Sequence, residues 1–502
     1  MPRKLENRSV VWAAVIVVAY LFAALTYVFY TPLWQAPDEP AHYNYVRYLI
    51  EHRAFPVLQP GDYDFDYLEA IKAARFPAEM SIDPLRYEYH QPPLYYILGA
   101  TLTAALPEGW RSVALRLLSV GLGTLLLGVV YRVGVALFPR QRFLALGAMA
   151  FVATVPMHVA TTAAVNNDAA AELILGLVIL LLIRRCRYPS AGHRWRNDVL
   201  LGVLIGMGLL TKTTTYIAVP LTAAVFFFPV SRKPAEAPLG EESLRSSKQV
   251  LFSLVRVLGV AFLLAAPWFV RNAVVYGDMD ILGLARHDAI MAKQPRTVDW
   301  LARLGWAGLA REFVVTSFRS FWAQFGWMGV LVDDRIYLSL AVLSVLAVLG
   351  FVVYLCGDFG RLEVRQRAGL GVLFLSLLFT LLAYLWYNAQ FVQHQGRYLF
   401  PALIPLGVFS ALGLWNLLDR RHAWYWAGLA VAGGLAFGVG GGMSAHIARW
   451  TLTICAVAAA AFVVRAFLPH GWRRYLFALP WAGLWALDFL CLFGFIVPQL
   501  RP

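Results

Sequence analysis

Apolar runs of roughly 18 to 25 residues, each long enough as a helix to cross a bilayer core of about 30 Å, recur along nearly the whole chain. The first, Val10 to Tyr30, follows Met-Pro-Arg-Lys, is too long for an ordinary signal h-region and has no small-residue cleavage site behind it, so it reads as a retained span. Further runs fall at about 114–138, 142–164, 169–186, 198–211, 215–230, 249–270, 336–356, 369–388, 398–418, 424–444, 450–468 and 475–497, which makes thirteen. The pair 198–211 and 215–230 is short, with Lys212 between. One more apolar stretch opens at Pro92-Pro93-Leu94 but runs only about 14 residues, a length that fits a re-entrant or surface helix.

The polar positions give the runs a direction. Arg and Lys cluster in alternate short connections, as they do in cytoplasmic loops, beginning with Arg3, Lys4 and Arg8. That places the N-terminus inside and residues 31–110 and 271–335 outside. The first of these loops carries eleven acidic and five basic residues, the reverse of the chain's overall balance. Within it, Ala41 to His52 puts Tyr45, Tyr48, Leu49 and His52 at helical spacing and reads as an interfacial helix. Residues 278–335 supply a second such region, with Trp300, Trp306, Phe318 and Trp327 suited to headgroup depth. Segment 231–248 is expected as a flexible cytoplasmic loop. Residues 1–418 are expected to form the catalytic module and 419–502 a scaffold of C-terminal helices.

Composition sharpens this to a polytopic all-α membrane protein: 60% of residues are hydrophobic and 14% charged, too few polar residues to cover a soluble surface. The formal charge of +14 is explained by the loops rather than by nucleic acid, because no basic stretch interleaves aromatics as a strand-binding surface does. Four cysteines lie in or beside the runs without metal-ligand or CxxC spacing, so neither a disulfide framework nor a zinc site is indicated.

Candidate chemistry gathers on the outer side. Asp38 and Glu39 stand where the chain leaves the first span, with His42 one helical turn on. Helix capping by Asp38, with Pro40 in the first turn, accounts for one carboxylate. It leaves open a general base and an orienting partner for an acceptor hydroxyl. His90 directly precedes the stiff Pro92-Pro93 element and is favoured over Glu88, which reads as a solvated loop residue. Asn166-Asn167-Asp168 offers more capping residues than one helix start needs. Lys212, Arg271 and Arg397 sit at outer ends of apolar runs, where snorkelling would explain each singly and a held phosphate would explain all three. His394 could add a donor.

In this order the motifs resemble the glycosyltransferase-C (GT-C) superfamily of polyprenyl-phosphate-dependent enzymes. The likeness is to bacterial relatives of protein O-mannosyltransferases and of lipid A aminoarabinose transferases, within a branch of bacterial integral membrane proteins. The resembling pieces are Asp38-Glu39 with His42, Pro92-Pro93-Leu94-Tyr95-Tyr96, Asn167-Asp168, Leu210-Thr211-Lys212, Arg271-Asn272 with Tyr276-Gly277-Asp278, and Gly396-Arg397-Tyr398-Leu399-Phe400-Pro401, spanning about 30–405.

The resemblance implies a GT-C fold and an Asp in the first outer loop acting as base, a role that carries to Asp38 with Glu39 beside it. It also implies inversion at the sugar carbon and cations on a lipid-phosphate leaving group. His90-Gln91 stand where the aminoarabinose group tends to have Glu-Lys, so a phosphate-binding lysine is missing there. Some members of the superfamily use a divalent cation, which Asp38, Glu39 and Asp168 could ligate. The expected partners are a polyprenyl-phosphate sugar donor, a glycan, lipid or protein acceptor, and membrane lipids. The rival is a transporter or flippase of lipid-linked sugars, which should place ionisable groups at the bilayer midplane.

Overall fold

The computed structural model describes residues 2–187, 194–228, 247–291, 293–439 and 445–501. Residues 231–246 of the expected cytoplasmic loop lie outside that set. The described chain is helical apart from a two-stranded hairpin pairing Gln324–Phe325 with Val330–Leu331. Eight described helices are long and apolar enough to cross a membrane, or nine if one bent pair is a single span. The thirteen spans of the sequence reading are not reached by that measure. The runs at 169–186, 198–211 and 215–230 become helices that are too charged or too short for it.

The bent pair corrects an expectation. The run 142–164 is not one straight span but Arg142–Ala153 followed by Pro156–Thr162, turned by 67°. Pro156 has no N–H for the helical ladder and disfavours helical geometry at the residue before it, so the chain breaks there and restarts with proline in the first turn. The Pro92-Pro93 element gives a helix of only ten residues, Leu94–Thr103, short of a crossing.

Glu108–Leu137 packs against Asp168–Arg187, Arg142–Ala153 and the first helix, Pro2–Tyr30. Asp334–Gly357 crosses Leu403–Leu417 closely: a Cβ on Gly413 would lie 2.0 Å from the Ala347 carbonyl oxygen. Where both partners face lipid, such small-residue contacts supply the packing that water-driven burial cannot. The helix Glu39–His52, expected to lie at the interface, is docked on the protein along its first half. Its residues Glu39 to Val46 are all buried, and Tyr45 stacks on Tyr96 at 3.8 Å between ring centroids.

Candidate active site

The chain leaves the first helix through a turn in which Asp38 adopts a left-handed backbone (φ 66°), a conformation that Asp tolerates better than most residues. The turn starts the helix by its backbone alone: the Asp38 carbonyl accepts from the His42 N–H at 3.0 Å, and the carboxylate makes no cap bond. Side-chain capping, the simplest reading of Asp38, is therefore not its role here. The carboxylate turns to Arg397, whose Nη2 donates to Oδ2, and to Tyr87, whose hydroxyl donates to Oδ1 at 3.1 Å.

Glu39, its neighbour, goes the other way. Arg116 grips it with Nε and Nη2, both at 2.7 Å, and the backbone N–H groups of Trp34 and Val165 donate to the same carboxylate. Neither side chain is more than 2% exposed. Arg116 also donates to the carbonyls of Val28, Thr31 and Pro32, fastening the end of the first helix. Glu39 is thus a buried, fully engaged scaffold group, and this geometry does not support the expectation that it shares the chemistry.

Three further elements reach the Asp38 side. Asn166 accepts from the Asp168 N–H at 2.9 Å, so the helix start is served by the first Asn and the next two residues are released. The Asn167 amide donates to the Tyr96 hydroxyl and the Thr211 carbonyl, each at 3.3 Å, while its Oδ1 is buried without a partner. Asp168 Oδ1 accepts from Lys212 Nζ at 2.6 Å. His42 Nδ1 shares a 2.8 Å hydrogen bond with the Tyr96 hydroxyl.

Gly396 lets Arg397 approach, because a Cβ there would sit 2.2 Å from the Ser317 carbonyl oxygen. Arg397 is braced by Gln395 at 2.8 Å, and its guanidinium lies 5.5 Å from the Tyr398 ring centre. A small cleft adjoins Arg397, with Thr31, Pro37, Arg116, Asn166 and Phe325 among its walls.

Charge sets the protonation. Burial would raise the Asp38 pKa, but Arg397, His42 and Lys212 outweigh it and hold the carboxyl below its ordinary value. Burial lowers the His42 pKa, despite the carboxylates of Glu88 and Asp38 nearby. Glu88 shifts upward, chiefly through burial; Asp38 adds to the rise, and His42, Lys212 and a hydrogen bond from Gln91 oppose it.

The remaining sequence candidates make other contacts. His90 pairs with His287 (ring centroids 4.4 Å), and burial pushes its pKa down to about 4. Arg271 donates to the Pro56 carbonyl and to Asn272, and faces the Trp268 and Tyr276 rings. His394 packs edge-on against Trp300 and Phe313. Among the described residues no group of three or more His, Cys, Asp or Glu side chains could hold a metal ion. Asp38, Glu39 and Asp168 are each already paired with a cationic side chain, Arg397, Arg116 and Lys212, so this donor set does not fit a divalent cation.

A family model described as "Predicted membrane protein (DUF2142)" matches residues 83–406, well over half of the chain. The chain belongs to the DUF2142 family. The matched stretch holds Glu88, Asp168, Lys212 and Arg397 and begins after Asp38. No curated protein matches.

Among solved structures, this DUF2142 protein is similar to ArnT from Cupriavidus metallidurans bound to undecaprenyl phosphate. The TM-score is 0.52 at 15% identity, covering 97% of this chain and 77% of that one. The apo state of that ArnT gives 0.52 at 16%, covering 99% and 78%. The oligosaccharyltransferase of Archaeoglobus fulgidus, tethered with an acceptor peptide, gives 0.44 at 16%, covering 91% and 56%. The ArnT likeness establishes a GT-C-like fold, as the motifs led us to expect.

Two members of the cluster escaped the sequence reading. Arg116 had a signal: an Arg just inside the outer end of an apolar run is costly unless a partner is built for it. Glu88 had only the rigid Pro92-Pro93 element behind it, and that element was credited to His90.

Proposed function

We propose that this DUF2142 protein transfers a sugar from a polyprenyl-phosphate donor to an acceptor hydroxyl, with inversion, at the extracytoplasmic face of a bacterial inner membrane. The observation that carries the reading is the convergence of Asp38, Asp168, Lys212 and Arg397, from four separate segments, as two ion pairs that feel each other's charge, with Arg397 at the wall of a small cleft. In this reading Asp38 addresses the acceptor hydroxyl of a glycan, lipid or protein. Arg397 and Lys212 receive the phosphate, Arg through its planar fork and Lys as a point charge. The acceptor oxygen bonds to the sugar carbon, the bond from that carbon to the phosphate oxygen breaks, and the electron pair leaves with the lipid phosphate. His42, Asn167 and Tyr398 line the sugar; His90, Arg271 and His394 are outlying supports. The undecaprenyl phosphate bound by the ArnT structure is consistent with a polyprenyl-phosphate ligand.

The same reading puts the N-terminus in the cytoplasm. It counts the bent pair and the helices Asp168–Arg187, Arg194–Leu209, Thr213–Phe226 and Ala423–Val439 as crossings, which restores thirteen. Residues 1–418 are then the catalytic module and 419–502 its scaffold. The test is to offer purified wild type and Asp38→Asn a panel of polyprenyl-phosphate sugars with a membrane-lipid acceptor extract, and to follow both substrates by mass spectrometry. Wild type should consume one donor and the folded Asn variant should fall by about 10²-fold or more. Donor that moves across vesicles without being consumed would replace transfer with flipping. The buried His158–Glu172 pair and Asp488, whose carboxylate oxygens have no hydrogen-bond partner, are the groups to follow in that case.

A further inference from the structure

Four carboxylates, those of Asp38, Glu39, Glu88 and Asp168, come together around the Asp38 turn, and three have a cation of their own. Arg116 holds Glu39, Arg397 holds Asp38 and Lys212 holds Asp168. Glu88 has no ion-pair partner among the described residues, and its Oε2 is buried with no hydrogen-bond partner at all. A carboxylate oxygen left in that condition costs free energy, and such a group in a native structure calls for an explanation.

The orphan oxygen is held in place rather than adrift. Glu88 belongs to the short three-ten turn Tyr87–His90. Tyr87 anchors one side of that turn by donating to Asp38, His90 Nδ1 sits 3.0 Å from the Tyr87 carbonyl, and Pro92-Pro93 stiffens the exit. Facing Glu88 are Asp38 and His42 from the start of the Glu39–His52 helix, Lys212 from its loop, and the phenols of Tyr96, Tyr387 and Tyr398.

We propose that Glu88 is the general base that takes the acceptor's proton, while Asp38 orients the hydroxyl; this rests on the glycosyl-transfer reading. As the acceptor oxygen bonds to the sugar carbon and the phosphate leaves with its electron pair, the hydroxyl proton passes to Glu88 Oε2 and later to water. Asp38 is the poorer destination. Both its oxygens already accept hydrogen bonds, one from a guanidinium, and an environment that favours its ionised form is a weak pull on a proton. Glu88 has a free lone pair, no cation bonded to it and a proton affinity raised by its surroundings, which is what a base working near neutral pH requires.

The experiment compares full-length wild type, Glu88→Gln, Glu88→Asp and Asp38→Asn in detergent, reading single-turnover transfer against pH together with binding of undecaprenyl phosphate. The expected result is a loss of about 10²-fold or more in the transfer rate of Glu88→Gln, partial recovery in Glu88→Asp, and unchanged undecaprenyl phosphate binding in both. The acid limb of the wild-type profile should lie above the ordinary carboxylate range and disappear in Glu88→Gln. Transfer by Glu88→Gln within about threefold of wild type would overturn the assignment while leaving the transferase reading intact, as would an acid limb abolished by Asp38→Asn alone. A Glu88→Gln protein that loses lipid-phosphate binding in step with transfer would make Glu88 a binding residue and overturn it too. Wild type that transfers from no donor overturns both readings together.

Discussion

Asp38 and Glu39 are consecutive acids with opposite fates, and the contrast between their surroundings separates scaffold from candidate chemistry. Glu39 points into the junction of the first helix with Glu108–Leu137, where a bidentate arginine and two backbone N–H groups occupy its oxygens. Asp38 points the other way, bonded to one guanidinium nitrogen and one phenol, with 23% of its side chain exposed. Arg116 binds several backbone carbonyls and can do little but hold the turn together. Both arginines reach the cleft wall, but Arg397 donates to only one carboxylate and one amide, so it has donors to spare. A buried ion pair is expensive to break and need not be useful otherwise.

The largest expected effect is at Arg116. Arg116→Met strips a buried carboxylate of its cation and should cost about 3–5 kcal/mol, enough to lose the folded protein in detergent as judged by size-exclusion profile and thermal melt. Asp38→Asn, melted alongside, should lose clearly less. The comparison sharpens with Arg116→Met/Glu39→Gln, which removes both charges: it should regain folding and keep sugar transfer. A folded, inactive double variant would put Glu39 back in the chemistry.

Next come the cations of the open side. Arg397→Gln and Lys212→Gln should each weaken undecaprenyl phosphate binding by roughly tenfold or more, the worth of a charge-assisted hydrogen bond. Scintillation proximity binding with labelled lipid would read this directly, and Arg397→Lys should fall between wild type and Gln. Unchanged binding in both Gln variants would detach the cluster from phosphate.

A smaller effect separates Glu88 from Asp38 by sign. Because the folded state raises the Glu88 pKa, its neutral form is favoured in the fold and ionisation costs stability as pH rises past the ordinary carboxylate range. Glu88→Gln should therefore melt above wild type at pH 7–8, and the gain should fade toward pH 4. The Asp38 pKa is lowered, so its stabilisation is present at neutral pH and is lost as pH falls through that depressed value. Melts of Asp38→Asn should differ from wild type most at neutral pH and converge in acid. A Glu88→Gln gain that grew on acidification would contradict the raised pKa.

The smallest effect is expected at Arg271, whose guanidinium is committed to Pro56, Trp268 and Tyr276. Arg271→Gln should lower lipid-phosphate binding by well under the roughly tenfold expected at Arg397. A loss equal to that at Arg397 would mean the loop carrying Arg271 closes onto the donor.

Hydropathy alone determined that this chain is a helical membrane protein, because every apolar run long enough to span must satisfy its backbone within itself. The order of its polar motifs was enough to bring out the GT-C likeness, and the Pro92-Pro93 element is a helix of only ten residues. The sequence could not decide which acid faces which cation. Asp38 and Glu39 are adjacent in the chain, and so are Glu88 and, two residues on, His90. Which way each side chain points depends on a left-handed turn, a three-ten turn and on partners 77 and 359 residues away. Arg397, Lys212 and Arg271 looked equivalent at the ends of apolar runs until packing sent two to the cluster and one to an aromatic wall. Spacing along a helix fixes neighbours over a turn or two; the pairing of charges across the bundle is set by which helices pack together, and only the tertiary structure holds that information.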